Sequence, residues 1–258
     1  METGASVVKT GIVRPLRWLG AKLLDQLYPP VCLSCDKPVA TADALCSDCF
    51  RALRSITAPL CPVLGLPFEA SLGPDARSAE AIADPPPFER ARSAVVYNDV
   101  ARALVGKLKY GDRPELARFC ARLMAQAGHE LWGSDAVLVP VPLHRARLFS
   151  RRYNQSTELA RALGKLTGLP VDPSLVIRRK NTPHQVGLSG DARRRNVAGA
   201  FAAHSDSLRR LKGRRVVLVD DVITTGATIK SVTRTLKSGG AEHVDVVSFA
   251  RVVTGTDA

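Results

Sequence analysis

Two adjacent carboxylates, Asp220 and Asp221, follow four apolar residues, Val216 to Val219, and precede the run Thr224-Thr225-Gly226-Ala227-Thr228. The apolar run predicts a buried parallel strand with the acids at its carboxyl end. The small-residue run, followed by the helical pattern Ile229 to Leu236, predicts a loop that feeds a helix N-terminus. Backbone N–H groups and the helix dipole attract phosphate at such a point. Thr224, Thr225 and Thr228 add hydroxyl donors, and Gly226 lets the backbone come close to a ligand. A carboxylate pair repels phosphate but accepts hydrogen bonds from a vicinal diol. The stretch is therefore expected to hold a sugar phosphate, with phosphate on the amides of 225–228 and ribose hydroxyls on Asp220 and Asp221. The alternative is an ordinary buried strand followed by a capped helix.

The surrounding pattern supplies elements that would position such a site. Strands are expected at 93–97, 137–141, 175–178, 216–221 and 244–249, and helices at 99–109, 113–129, 154–167 and up to about 238. Strands alternating with helices imply an α/β domain with a mostly parallel sheet, whose ligands bind at the strand carboxyl ends. The polar, Gly-containing stretch 179–199 reads as a lid over a pyrophosphate-bearing ligand or as a solvated loop. No internal repeat is legible in the sequence.

The cysteines are clustered. Cys32, Cys35, Cys46 and Cys49 form two Cys-x-x-Cys pairs separated by ten residues. Four thiolates so spaced can surround zinc tetrahedrally and close a small ribbon that has little core of its own. A disulfide pair and a redox dithiol are the other readings. A four-thiolate site is closed, so its zinc would be structural. Cys61 begins a third half-knuckle, but Leu64 stands at the partner position; Cys61 is read as packed, with an alternate ligand as the other reading. Cys120 falls in an apolar helix pattern and reads as core.

The 258 residues carry 37 Lys and Arg against 24 Asp and Glu, a formal charge of +13. Such a balance suits polyanionic partners. Three basic clusters stand out: Lys107 to Gly111, His144 to Gln155, and 179–199. Clusters at strand carboxyl ends suggest an anion site or a nucleic-acid track. Aromatic residues are only 5% of the chain, which argues against a broad stacking platform. No apolar run reaches the ~20 residues of a membrane span, and the chain is read as cytoplasmic. Residues 12–28 read as a basic amphipathic helix starting near Pro15.

Together these features resemble the ComF family of competence-associated, phosphoribosyltransferase-like proteins, over nearly the whole chain. The likeness rests on Tyr28-Pro29-Pro30 before the paired knuckles, Leu108-Lys109-Tyr110, Val139-Pro140-Val141-Pro142-Leu143-His144 and Tyr153-Asn154-Gln155. It continues through Thr182-Pro183-His184-Gln185 with Gly187-Leu188, Arg195-Asn196-Val197 and the thirteen positions 216–228. The resemblance implies a type I phosphoribosyltransferase-like fold with an N-terminal zinc ribbon. The division expected is 1–60 for helix and ribbon, 61–90 for a linker and 91–258 for the phosphoribosyltransferase-like domain.

It further implies binding of PRPP or a related ribose phosphate with Mg²⁺, and a role in DNA uptake or natural transformation or in nucleotide metabolism. Competence-machinery partners are implied too. Asp220 and Asp221 would hold ribose, and Thr224, Thr225, Gly226, Ala227 and Thr228 the 5′-phosphate. Lys109, Arg145 and Arg152 would stabilise departing pyrophosphate. The rival reading is a non-enzymatic, single-stranded-DNA-binding factor with a regulatory or vestigial PRPP pocket. One departure is Arg151-Arg152, where the family usually has Arg-Gly. The missing third knuckle argues against a second metal site.

Overall fold

A computed structural model describes residues 29–73, 75–110, 113, 115–180, 199–203 and 213–253. The expected N-terminal helix at 12–28 and nearly all of the stretch 179–199 lie outside them. The chain divides into two compact units, residues 1–50 and 51–258.

In the smaller unit, the turn at 30–39 is closed by backbone bonds from Cys32 N–H to Lys37 O (2.7 Å), Asp36 N–H to Cys32 O (3.1 Å) and Val39 N–H to Pro30 O (2.9 Å). Helix α1 spans Ser47–Ala52. The larger unit opens with a second turn at 59–68, and α2 covers Ala79–Ala83. Strand β1 (Ala91–Val96) leads to α3 (Asp99–Tyr110) and α4 (Leu116–Ala127). Strand β2 is Ala136–Pro140, α5 is Arg145–Arg151 and α6 is Gln155–Thr167. Strands β3 (Val176–Arg178) and β4 (Phe201–Ala203) pair antiparallel. Strand β5 (Arg215–Ile223), α7 (Ala227–Ser238) and β6 (His243–Arg251) complete the described chain.

The main sheet has the order β1-β6-β5-β2, and all of its pairings are parallel. Its strands are apolar nearly throughout because both faces are covered. Val216 and Leu218 of β5 join Val232 and Leu236 of α7 in one core cluster. Side chains alternate along a strand, so Val217 and Val219 face the other layer. That layer is α4 and α6, which bury Cys120, Met124, Leu159 and Leu163. The mostly parallel α/β architecture and Cys120 as core are as expected from the pattern.

Both outer strands are covered. The outer edge of β1 bonds to 54–56: Ile56 N–H donates to Ala94 O (3.0 Å), and Val96 N–H donates to Arg54 O (2.8 Å). Beyond β2, Leu138 N–H donates to Pro170 O and Asp172 N–H to Leu138 O, each at 2.9 Å, with a bridge from Leu138 to Val171. Among the described residues, no helix is long and apolar enough to cross a membrane.

Two local elements extend the expected pattern, and one reading is corrected. Strand β5 runs on to Ile223, past the expected end at 221, and Asp220 and Asp221 lie within its paired part; Asp220 registers with Ser248. The basic run after β2 is partly helical: His144 Nδ1 accepts from Ala146 N–H and caps α5, a signal hidden by the density of arginines. An internal repeat is also present. The bonds that close 30–39 recur at 59–68: Cys61 N–H to Leu66 O, Gly65 N–H to Cys61 O and Phe68 N–H to Pro59 O, each 2.8 Å. Asp36 (φ 61°) and Gly65 (φ 64°) occupy the same left-handed corner. A Cβ on Gly65 would lie 2.3 Å from Ala91 O, so only glycine fits the second copy. The repeat is conformational and shares few residue identities, which is why the sequence conceals it.

Candidate functional site

Each copy of the knuckle turn precedes a short helix. In the first copy, Cys46 N–H donates to Cys32 Sγ (3.2 Å) just before α1. In the second, Ser78 N–H donates to Cys61 Sγ (3.4 Å) just before α2. The positions of Cys32, Cys35, Cys46 and Cys49 are thus taken in the second copy by Cys61, Leu64, Ser78 and Ala81. Leu64 and Ala81 are buried there. Cys61 packs as expected, and its ribbon is held by apolar side chains.

In the first copy, the four Sγ atoms lie within 4.8 Å of one another, and Cys35 Sγ is 3.7 Å from Cys46 Sγ. A tetrahedron of Zn–S bonds of ~2.3 Å has edges of ~3.8 Å, so the donor set fits zinc. Burial works against the Cys32 thiolate, but the backbone N–H groups of Cys35, Cys46 and Ser34 outweigh it and draw the thiol down to about 6. Burial and the neighbouring thiols of Cys35 and Cys46 push Cys49 up to about 12. Packing four anions together needs a cation between them. Elemental analysis of metal-loaded protein is expected to give one zinc per chain; two would mean that Cys61 recruits other ligands.

The second site is at the carboxyl end of β5. Asp220 and Asp221 are 8% and 5% exposed. Lys109, in the last turn of α3, places Nζ 2.6 Å from Asp221 Oδ2. Burial penalises the Lys109 ammonium, yet the Asp221 carboxylate more than compensates and holds its pKa above the ordinary value. Asp220 Oδ1 accepts from Ser156 Oγ and from Asp221 N–H, each at 3.0 Å. Burial first, and then the neighbouring Asp221 charge, raise Asp220 to about 8. The pair is therefore split, with one carboxylate neutralised by a lysine and the other holding a proton at neutral pH.

Ser156 was not singled out in the sequence. Its position, two residues after Asn154, carries the signal. Asn154 Oδ1 accepts from Ser156 N–H (3.0 Å) and caps α6, while Asn154 Nδ2 donates to Val141 O (3.0 Å). The Tyr153-Asn154-Gln155 run is thus a clamp: Tyr153 Oη donates to Leu108 O, tying α6 to the turn of α3 that carries Lys109. Ser156→Ala is expected to move the Asp220 pKa further above 8, because the lost donor favoured the ionised form. It should cost about 1 kcal/mol of stability; titration followed by NMR checks the first effect and urea unfolding the second.

Gly226 (φ 72°, ψ 3°) turns the chain into α7 and, as its N-cap, makes no side-chain cap bond. Thr224 and Thr225 are exposed, Gly226 and Thr228 are half-buried and Ala227 is buried. The first helical bond runs from Lys230 N–H to Gly226 O (2.8 Å), so the first-turn N–H groups have no acceptor inside the helix. Beside this loop is a cavity of about 690 Å³, lined by Thr224, Thr225, Lys230, Arg251 and Tyr97.

Arg145 and Arg152 are exposed. They line a groove of about 680 Å³ with His144, Arg178 and Arg179 at the carboxyl end of β2. The structure thus joins Lys109 directly to the aspartate pair and sets these two arginines on a neighbouring wall. Arg152 turns the chain after α5 with a left-handed backbone, at φ 64°. The left-handed region costs a non-glycine residue about 1 kcal/mol, so Arg152→Gly is expected to stabilise the fold by about that amount, read as a higher melting temperature.

Comparison with known proteins gives the domain families and relatives of the chain. The family model described as "Double zinc ribbon domain" matches residues 23–82, and "Phosphoribosyl transferase domain" matches 107–257. The chain is 33% identical over 232 residues to "DNA utilization protein YhgH" of Escherichia coli strain K12, covering 87% of this chain and 98% of that protein. "Competence protein F" of Haemophilus influenzae is 31% identical over 229 residues, covering 85% and 96%. "Competence protein ComFC" of Bacillus subtilis is 26% identical over 243 residues, covering 88% and 96%.

Proposed function

Since the chain belongs to the ComF family, with a four-cysteine ribbon and a phosphoribosyl transferase domain, we propose that it binds PRPP with Mg²⁺ at the carboxyl end of β5. The observation that carries this reading is the buried Asp220–Asp221 pair, split by Lys109 and Ser156, directly before the Thr-Thr-Gly turn into α7. In this reading the ribose hydroxyls lie on the two carboxylates, and the 5′-phosphate lies on the N–H groups of 225–228. The groove of Arg145 and Arg152 takes the pyrophosphate side.

Among the described residues, the grouping of three or more potential metal ligands is that of the four cysteines, and Lys109 already holds Asp221. This suits an ion that keeps its waters and arrives with the pyrophosphate oxygens. Bound there, Mg²⁺ offsets phosphate charge. The protein's residues orient C1 of the ribose and stabilise the leaving charge. Transfer breaks the bond from C1 to pyrophosphate oxygen and forms a bond from C1 to an acceptor nucleophile. The electron pair leaves with pyrophosphate, and the acceptor gives up its proton. The names of the relatives support a role for this chemistry in DNA utilisation or competence.

Calorimetric titration with PRPP and MgCl₂ tests the reading. Saturable binding that disappears in Asp220→Asn/Asp221→Asn, with the fold intact, is the expected result. A well-folded wild type that binds no PRPP would overturn it. The non-enzymatic DNA-binding reading would then stand alone.

A further inference from the structure

The cavity of about 690 Å³ beside the Thr224–Gly226 turn lies at the carboxyl ends of three strands. Tyr97 follows β1, Thr224 follows β5, and Arg251 ends β6. Backbone bonds tie these ends together: Tyr97 N–H donates to Arg251 O (2.8 Å) and Val252 N–H to Ile223 O (2.9 Å). The second copy of the knuckle turn, with α2, supplies the facing wall, and it is fastened at two points. Arg251 Nη1 donates to Leu64 O (3.0 Å), and Lys230 Nζ of α7 pairs with Asp84 Oδ2 (2.8 Å) at the end of α2. The ribbon copy that carries Leu64 and Ala81 in place of thiolates thus closes a cavity over the sheet.

Much of the lining is apolar: Leu64, Leu66, Phe88, Ile223 and Ile229 contribute to it. The volume falls within the ~300–1,000 Å³ of small-molecule sites. Arg251 is the exception in this lining. It is 7% exposed, and its Nε–H is buried with no acceptor among the described residues. Burial draws the guanidinium below its ordinary value, and the Glu80 and Cys61 charges only partly offset this. A buried guanidinium N–H without an acceptor is costly, and a carboxylate is a strong partner for it. A dianionic phosphate suits the cavity less, because Glu80 and Asp84 line it as well. A flat ring would fill the apolar part and could lie against Tyr97.

The sheet order β1-β6-β5-β2 sets the role. The arginine groove assigned to pyrophosphate lies on the β2 side of Asp220 and Asp221, and this cavity lies on the β6 side. Displacement at C1 requires the nucleophile and the leaving group on opposite sides of that carbon. We propose that the cavity is the acceptor pocket and takes a small aromatic carboxylate bearing a nucleophilic amine, its carboxylate on Arg251 and its ring among Leu64, Leu66 and Phe88. The role of that molecule as acceptor rests on the PRPP reading; the pocket's affinity for it does not. In the transfer, the nitrogen lone pair forms the bond to C1 as the bond from C1 to pyrophosphate oxygen breaks. The electron pair leaves with pyrophosphate, and the amine proton passes to water.

The test titrates the zinc-loaded full chain with o-aminobenzoate, followed by its fluorescence, and with o-aminobenzamide as the uncharged counterpart. Each titration is run with and without PRPP and MgCl₂. Arg251→Gln removes the guanidinium. Ala83→Trp, at an exposed position on the cavity wall, narrows the mouth and serves if Arg251→Gln fails to fold. Ile82→Trp, exposed on the same helix but outside the lining, is the control, and thermal melts accompany all three. Wild type is expected to bind the acid saturably. Binding should be weaker by about tenfold to a hundredfold for Arg251→Gln with the acid and for wild type with the amide. Ala83→Trp should weaken it too, and Ile82→Trp should leave it unchanged. PRPP should bind alongside the acid, and the two together should release pyrophosphate.

Equal binding of acid and amide, equal weakening in Ile82→Trp, or no saturable binding to well-folded wild type would overturn the proposal. Displacement of the acid by PRPP or by inorganic phosphate would overturn it as well, since the cavity would then be an anion or sugar-phosphate site. Saturation by both ligands without pyrophosphate release would remove the acceptor role. Failure of PRPP to bind, with Arg251-dependent binding of the acid intact, would count against the sugar-phosphate reading and leave the pocket standing as a binding site.

Discussion

The affinity of the aspartate site for PRPP and Mg²⁺ is expected to rise by up to about tenfold per pH unit between about pH 6 and pH 8, then level off. The cause is Asp220, which burial and the Asp221 charge raise from 3.8 to about 8. Below that value Asp220 is protonated and loses acceptor capacity for a ribose hydroxyl, so binding must expel a proton. Calorimetry at neutral pH in two buffers of unlike ionisation enthalpy should reveal that proton. Asp220→Asn should weaken binding and flatten the profile, whereas a pH-independent affinity in the wild type would remove Asp220 from the ligand's contacts.

The linked effect on the empty protein has the opposite sign. The stability contributed by Asp220 is fully present below 3.8 and is lost as pH rises through about 8. The ligand-free protein should therefore melt at a lower temperature at pH 8.5 than at pH 6.5 if this group dominates. PRPP with Mg²⁺ should reverse that order, since binding adds to stability most where Asp220 is already ionised.

Removing zinc, or replacing Cys46 and Cys49 together by Ser, is expected to unfold the ribbon at 29–50 while the parallel sheet stays folded. The buried apolar residues of that segment are Cys32, Leu33 and Cys49, too few to offset the ordering of its backbone. Zinc in small ribbons supplies an apparent 10–16 kcal/mol, roughly, at neutral pH. Hydrogen exchange distinguishes the two parts. The amides of Cys32, Asp36 and Val39, bonded in the first turn, should lose protection in chelator. Those of Cys61, Gly65 and Phe68, bonded identically in the second, should keep it. Equal protection of both turns in chelator would show that the first does not depend on its metal.

The carboxyl end of β5 was legible because its chemistry is local. Thirteen consecutive residues contain the strand, the acids, the turn and the helix start. The paired Cys-x-x-Cys spacing was legible for the same reason. Ser156 was not, because its contact with Asp220 spans 64 residues and depends on where Asn154 caps α6. The second knuckle was hidden because its ligand positions are Leu64, Ser78 and Ala81, and what persists is a pattern of backbone bonds. The helical state of 145–151 was masked by arginines that carry no apolar period, so that only the cap at His144 and the tertiary setting decide it.

The seams along β1 and β2 have a further consequence. An uncovered edge strand is a template on which a second molecule can extend the sheet. Here residues 54–56 lie along one edge and Pro170 to Asp172 along the other. Strand-by-strand growth between copies is thereby obstructed at both ends of the sheet. A concentrated or crowded preparation would have to associate through side-chain surfaces, where salt and charge govern the outcome, and with +13 on the chain self-repulsion works against even that.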